Sequence, residues 1–326
     1  MTIRKSQDLL TFWNKLTGMQ SYSETIKLMG NMFSFCAMHQ NQSIAHVAVS
    51  EGISEVRRIE KLLTSFSENS ITAEINRNAG FRPVTVTDEV FDLIQRSIKI
   101  SDITQGAFDI SYGSADKRFW NFDKNMTSLP NPKNAIKNVR LVDYRNIIIN
   151  REDSTVLLKN RGMRIGFGGI GKGYAAERAK YMMKKMGIEN GIVNAAGDLT
   201  TWGHQENGEA WTIGIADPNH KSKLFSSISI SDKSVATSGD YEKYVVIGDV
   251  RYSHTIDPKT GMPAKGMKSV TVICSNAELA DALTTPIIIM GWESGLHMVN
   301  QLNGVEAIII NNDNKMYFSN NINVLK

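Results

Sequence analysis

Runs in which apolar and polar residues alternate outnumber runs with helical spacing along this chain. "FSFCAMH" (33–39) and "SIAHVAVS" (43–50) alternate and predict two paired strands around "QNQ". Across 51–66 the apolar positions are Ile53, Val56, Ile59, Leu62, Leu63 and Phe66, which is the spacing of a helix. "TDEVFDLIQRSIKISDIT" (87–104) predicts another helix, capped by Thr87, with Val90, Leu93, Ile94 and Ile98 inward. "VRLVDYRNIIINREDSTVLLKNRGMRIGF" (139–167) alternates like a run of strands. A helix over 174–186 follows, with Ala175, Ala179, Met182 and Met186 on one face and Gly187 as its stop. "GIVNAAG" is a strand, "WTIGIAD" starts a hairpin-like stretch, and more strands are expected near 225–255 and at "SVTVICS". A helix is expected from Ser275, where Ser275 and Glu278 form a capping-box pattern. "VEAIIINNDNKMYFSN" closes as a hairpin. Residues 1–28 read as a polar, partly helical lead-in to a single domain over 29–326. Strands that follow one another this often predict an α+β fold rather than a doubly wound sheet.

Composition narrows the function classes. The 326 residues suffice for one large domain or two intimate lobes with a real core. Apolar residues make up 41% and charged residues 21%, as in ordinary soluble globular proteins. The net charge is +4, and the basic residues are scattered without interleaved aromatics, which argues against nucleic acid as a partner. Lys180, Lys184 and Lys185 read as a solvated helix face. Cys36 and Cys274, with no C-x-x-C, read as buried thiols, which excludes a disulfide framework and argues against a cysteine zinc site. No apolar run reaches membrane-spanning length. The N-terminus lacks an apolar signal core and a small-residue cleavage site, so a cytoplasmic protein is expected, or an exported one whose targeting segment is absent from this sequence.

"RIGFGGIGKG" (164–173) fits two phosphate-binding patterns in part. Gly166, Gly168 and Gly171 spell G-x-G-x-x-G, and Gly166, Gly171 and Lys172 begin a P-loop. The P-loop needs a hydroxyl next, and Gly173 stands there. The dinucleotide reading needs an acid closing the next strand about 20 residues on, but Asp198 lies late and a hairpin-like stretch follows it. What remains is either an anion-facing loop with Lys172 at a helix N-terminus, or a plain strand-to-helix turn with a solvated lysine.

Two further clusters carry chemistry. Asp281 and Thr285 share a helix face at i, i+4, and Glu278 lies three residues before Asp281. A carboxylate and a hydroxyl, joined by backbone carbonyls, form a hard-cation donor set. Thr285 could instead bond back to the Asp281 carbonyl. Pro286 removes a backbone donor and should kink the helix just beyond the pair. In "RYSHTIDPKTGMP" (251–263), His254 precedes an Asp257-Pro258 turn in an extended segment, where it is either a structural imidazole or a base. Strict alternation would put His254 and Ile256 on one face.

Together, "MGN" (29–31), "LTSFSENSITAEIN" (63–76), "TQGAFDISYG" (104–113), "GFGGIGKGYAAERA" (166–179), "VNAAGDL" (193–199), "SVATSGDYEKY" (234–244), "YSHTIDPKTGMP" (252–263) and "ELADALTTPIIIMG" (278–291) resemble, in order, the motifs of the FAD:protein FMN transferases, the ApbE family. The resemblance implies mainly antiparallel sheets with surrounding helices. It implies an Mg²⁺-dependent enzyme that cleaves the FAD pyrophosphate and attaches FMN by a phosphoester to a Thr or Ser of an acceptor flavoprotein. It places the metal ligands at the Gly169 carbonyl, Asp281 and Thr285, with Glu278 close by. FAD contacts fall on Met29, Phe66, Ala107, Phe108, Asp109, Lys172 and Ile256, and the family histidine on His254, expected to deprotonate the acceptor hydroxyl. Gly166 stands where the family has Asp, Phe66 where it has Tyr, and Asn31 where it has Thr. No D-x-x-[ST]-G-A-[ST]-like stretch occurs, so self-flavinylation is not expected. The alternatives are an FAD binder or pyrophosphatase giving FMN and AMP, and a nicotinamide-dependent oxidoreductase built on the literal G-x-G-x-x-G.

Overall fold

A computed structural model describes residues 18–116, 128–217, 220–239, 244–248 and 250–322. In chain order these form β1 (Gln20–Leu28), β2 (Asn31–His39), α1 (Gln42–Leu63), α2 (Ile71–Arg77), β3 (Val84–Thr85), α3 (Asp88–Ile103), α4 (Pro132–Asn138), β4 (Ile147–Asn150) and β5 (Thr155–Leu158). Then come α5 (Gly171–Lys185), β6 (Asn190–Ala195), β7 (Asp198–Trp202), β8 (Trp211–Asp217), β9 (His220–Ile230), β10 (Ser234–Gly239), β11 (Tyr244–Ile247) and β12 (Val250–Ile256). The last elements are β13 (Pro263–Lys265), β14 (Met267–Cys274), α6 (Ala277–Val299), β15 (Glu306–Asn311) and β16 (Met316–Phe318). Every strand pair with a described register runs antiparallel, which makes the fold α+β and removes the doubly wound alternative. No described helix is long and apolar enough to cross a membrane.

The chain forms two compact units. One holds residues up to 60 with 172–236 and 273–280; the other holds 61–171, 237–272 and the residues from 281 on.

In the first unit the strands run in the order β1-β2-β6-β7-β10, and β8 and β9 form a separate ribbon. Strand β1 occupies residues expected to be a lead-in and pairs along its whole length with β2. The expectation for 1–17 lies outside the described residues. "FSFCAMH" is a strand, but "SIAHVAVS" is not its partner: it opens α1. Asn41 caps that helix by accepting from Ser43 N at 2.9 Å. Ala45, Ala48, Val49, Ile53, Val56 and Ile59 are buried, so the apparent alternation hides a helical stripe. A Cβ on Gly52 would lie 3.2 Å from Met183 of α5 and 3.6 Å from Phe35 of β2, which shows how closely the three elements meet. The buried face of α5 is Ala175, Ala176, Ala179 and Met183; Met182 is half-buried and Met186 exposed, a rotation from the expected stripe. Gly187, at φ +87°, ends the helix as expected. Lys180 is not solvated but donates to Thr200 Oγ1 at 3.0 Å, whereas Lys184 and Lys185 are exposed.

Glu55 of α1 is buried and accepts from Arg58 Nε at 2.8 Å and Arg178 Nε at 2.9 Å. The Arg58 hydrogen bond, with help from Arg178, holds its carboxyl below the ordinary carboxylate range. A lowered folded-state value means that the stabilisation is present above the unfolded pKa of about 4.3 and lost as pH falls through the lower folded one. The stability difference between the wild type and Glu55→Gln should therefore be full at pH 7 and close on acidification below about pH 4. Urea melts across that range read it directly; a gap that does not change with pH would contradict the assignment.

In the second unit, β3-β5-β4 and β11-β12-β13 form small sheets, and β14, β15 and β16 lie side by side. Helix α3 starts as expected, with the Thr87 side chain accepting from Val90 N, and it buries Val90, Leu93 and Ile94. Ile98 is only half-buried; Ser97 and Ile100 take the inner positions.

Candidate functional site

In the first unit, two tight turns lie at one end of neighbouring strands. Leu28 pairs with Asn31 across Met29-Gly30, and Ala195 pairs with Asp198 across Ala196-Gly197. Phe33 of β2 faces Ala195 of β6, so both turns project at the same end. All four turn residues have positive φ, as two-residue hairpin turns of this hand require. For Met29 (φ +50°) and Ala196 (φ +56°) this is a conformation that L side chains adopt reluctantly. Asn194 Oδ1 braces the second turn by accepting from Gly197 N at 2.7 Å. Asp198, buried at the turn's exit, is ion-paired with Lys172 in the first turn of α5. The lysine is thus neither solvated nor a loose cation: a buried carboxylate fixes it at the end of the glycine loop. Asp198 has its role in this pair and not as a ribose-binding acid; Lys172 and Asp198 are 26 residues apart.

The glycine loop belongs to the second unit. Gly166 N donates to Ile110 O at 2.9 Å, and Gly171 N donates to Phe167 O at 2.7 Å. A Cβ on Gly166 or Gly168 would meet nothing within 4 Å, and neither residue has a positive φ. The protein's own packing does not demand glycine at either position, which leaves the backbone open to close approach by a bound group. A Cβ on Gly169 would lie 3.5 Å from the Phe108 ring.

Ala107 and Phe108 are buried beyond the end of α3, where Phe108 N donates to Thr104 Oγ1 at 3.1 Å. Asp109 accepts from Ser111 N at 2.7 Å and Ser111 Oγ at 2.6 Å through Oδ1, and from Tyr144 N at 2.8 Å through Oδ2. Burial pushes its carboxyl up despite these bonds. Its oxygens hold the 109–116 loop to the segment around Tyr144. Phe66 is 90% exposed, past the end of α1.

Helix α6 carries the candidate metal residues. Its cap is Asn276, whose side chain accepts from Leu279 N at 3.0 Å, one residue beyond the expected Ser275. Asp281 is 5% exposed and Glu278 7% exposed, while Thr285 is half-buried. Thr284, not Thr285, bonds back to the Asp281 carbonyl, at 2.8 Å, and Ser238 Oγ lies 2.8 Å from Thr284 Oγ1. Sequence spacing had not singled out either hydroxyl. The break in α6 falls at Gly291 (φ 82°, ψ 168°), a conformation open only to glycine, and not just beyond Pro286. Among the described residues no three His, Cys, Asp or Glu side chains cluster for a metal. A buried carboxylate beside a hydroxyl on one helix is instead a sparse oxygen set of the kind that hard cations take with carbonyls and water.

Strand β12 breaks the expected alternation. Its register against β13 slips between Tyr252 and Ile256, and Ser253 and Ile256 are both buried while His254 is exposed. Ser253 Oγ accepts from Thr255 N at 3.1 Å inside the slip. His254 and Ile256 therefore do not share a face by simple alternation. Ile256 packs with Val245, Tyr112, Leu129, Tyr252 and Met262. Residues 240–243 of the "SVATSGDYEKY" motif lie outside the described residues. Both cysteines are free thiols, and burial pushes Cys274 up to about 11, far from reactive.

The model of the ApbE family matches residues 29–309. The chain belongs to the ApbE family. A relative named FAD:protein FMN transferase from Klebsiella pneumoniae (strain 342) is 30% identical over 300 residues, covering 91% of this chain and 92% of its own. A second of that name, from Treponema pallidum (strain Nichols), is 28% identical over 286 residues, 83% of this chain and 79% of its own. The crystal structure of the ApbE protein from Thermotoga maritima matches with a TM-score of 0.81 at 29% identity, covering 92% of this chain and 97% of that one. The flavin transferase ApbE from Vibrio cholerae matches with a TM-score of 0.81 at 24% identity, over 93% of this chain and 98% of that one, a likeness of fold. Strand β1 precedes the segment that the ApbE family model matches.

Proposed function

We propose that this chain is an Mg²⁺-dependent FAD:protein FMN transferase that attaches FMN by a phosphoester to a Thr or Ser of an acceptor flavoprotein. Asp281 carries the reading: a buried carboxylate one helical turn before Thr285, in a chain whose relatives bear that transferase name. Asp281, Thr285 and the Gly169 carbonyl would hold the ion, with Glu278 close by. When bound, it supplies positive charge to the phosphate oxygens.

The chain's own groups do the rest. Lys172, fixed by Asp198, and the N-terminus of α5 favour the negative pyrophosphate. Gly166 and Gly168 leave no Cβ on that side of the loop, so the backbone at Gly168 can approach it, while the Gly166 N–H stays on Ile110 O. The exposed Phe66 ring offers a stacking face to the donor, and the family resemblance assigns further donor contacts to Met29, Ala107, Phe108, Asp109 and Ile256. His254 accepts the proton of the acceptor hydroxyl as its oxygen bonds to the FMN-side phosphorus. The bond from that phosphorus to the bridging oxygen breaks, and AMP leaves with the bridging oxygen.

The chain should bind FAD more tightly than NAD or ATP in fluorescence titrations. Equal affinity for ATP would contradict a site that recognises the flavin half of the donor. The function itself is read by incubation with FAD, Mg²⁺ and candidate acceptor flavoproteins, followed by intact-mass measurement. An acceptor heavier by one FMN supports transfer. Free FMN and AMP with unmodified acceptors would make the chain a pyrophosphatase instead.

A further inference from the structure

We propose that Glu177 is a positioning residue for the metal-holding helix. This rests on the metal reading above. Glu177 lies in the second turn of α5, and its side chain is only 18% exposed. Its Oε1 accepts from Ala277 N, the first residue of α6, at 2.7 Å, and from Ser234 Oγ of β10 at 3.1 Å. Oε2 lies 3.8 Å from Lys180 Nζ. Thr200 Oγ1 closes the network, 3.0 Å from both Lys180 Nζ and Ser234 Oγ. One carboxylate thus joins α5, β10 and α6 inside the first unit.

The contact to α6 is specific. A helix starts with four N–H groups that have no partner within it. Asn276 serves Leu279, and Glu177 serves Ala277, which is fully buried and away from water. A carboxylate at a helix N-terminus is also favoured by the helix dipole. Glu278 follows Ala277 directly and Asp281 comes one turn later, so fixing the first N–H fixes where that turn begins. Helices are stiff over one turn, and a metal site tolerates little misplacement of its ligands. Groups that orient metal ligands without touching the ion typically account for 10- to 100-fold in affinity.

The readout is direct Mn²⁺ binding, followed by electron paramagnetic resonance on the full chain without FAD. Asp281→Asn should lose binding. Glu177→Ala should weaken it by about 10- to 100-fold. Glu177→Gln keeps an oxygen that can accept from Ala277 N and should bind Mn²⁺ nearly as the wild type does. Ser234→Ala frees the carboxylate on one side and should give a smaller loss in the same direction. It also serves if Glu177→Ala does not fold. Wild-type affinity in Glu177→Ala, or in Ser234→Ala if only that variant folds, would reduce the network to a scaffold contact and overturn the proposal. Loss in Glu177→Gln equal to that in Glu177→Ala would assign the effect to charge and also overturn it. A wild type that binds no Mn²⁺, or an Asp281→Asn variant that binds it as tightly, would overturn the metal reading itself.

Discussion

Asp281→Asn is expected to lower Mg²⁺-dependent FMN transfer by on the order of 10²-fold or more. The change keeps the size of the side chain and removes one hard anionic ligand. Metal-free stability should fall little, because burying the neutral isostere costs less than burying the charge. The signature lies in the coupling. An ion that binds only the folded state stabilises it by RT ln(1 + [L]/Kd), so saturating Mg²⁺ should raise the wild-type melting temperature and leave that of Asp281→Asn almost unmoved. An unchanged transfer rate with normal melting would make Asp281 an ordinary buried acid. A lost rate with a metal-free melting point far below the wild type would make it a folding residue.

Much of the fold is legible in the sequence where local chemistry and tertiary packing agree. Thr87 marks the start of α3 because its side chain caps Val90 N and an apolar stripe follows. Gly187 marks the end of α5 because the chain there takes φ +87°. The reading fails where period is ambiguous. In "SIAHVAVS", Ala45, Val47 and Val49 fit a strand, yet Ala45, Ala48 and Val49 are buried and Val47 is exposed. The Asn41 cap, in the "QNQ" read as a hairpin loop, was the signal that a helix begins there. Pro286 drew attention as the break in α6, but a proline removes one donor, while Gly291 alone can take φ 82° with ψ 168°.

Site residues divide the same way. Gly166, Gly168, Asp281 and Thr285 stand out because their spacing has a local meaning, a loop before a helix or two neighbours on one helix face. Asp198 drew notice only as an acid too late for a ribose, and Glu177 not at all, because their partners come from elsewhere: Lys172 for the first, Ser234 and Ala277 for the second. A lysine beside a glycine loop looks like a loose cation until the fold brings a buried carboxylate to it.

The same limit bears on His254, whose placement rests on a bulge that alternation could not foretell. The slip between Tyr252 and Ile256 turns Ile256 into the apolar cluster with Tyr112 and leaves His254 exposed. An exposed imidazole is open to a large partner, as a base serving a hydroxyl on another protein must be. His254→Ala is expected to slow FMN transfer to protein by about 10²- to 10⁴-fold, the span for losing a general base. FAD binding should change far less, because Lys172, the glycine loop and Asp281 are untouched. Both quantities come from one sample: acceptor mass gain for transfer and flavin fluorescence quenching for binding. Because the side chain is exposed, its removal should also leave melting nearly unchanged. Transfer at the wild-type rate would remove His254 from the chemistry. Transfer and binding lost together would make it part of the donor pocket rather than the base.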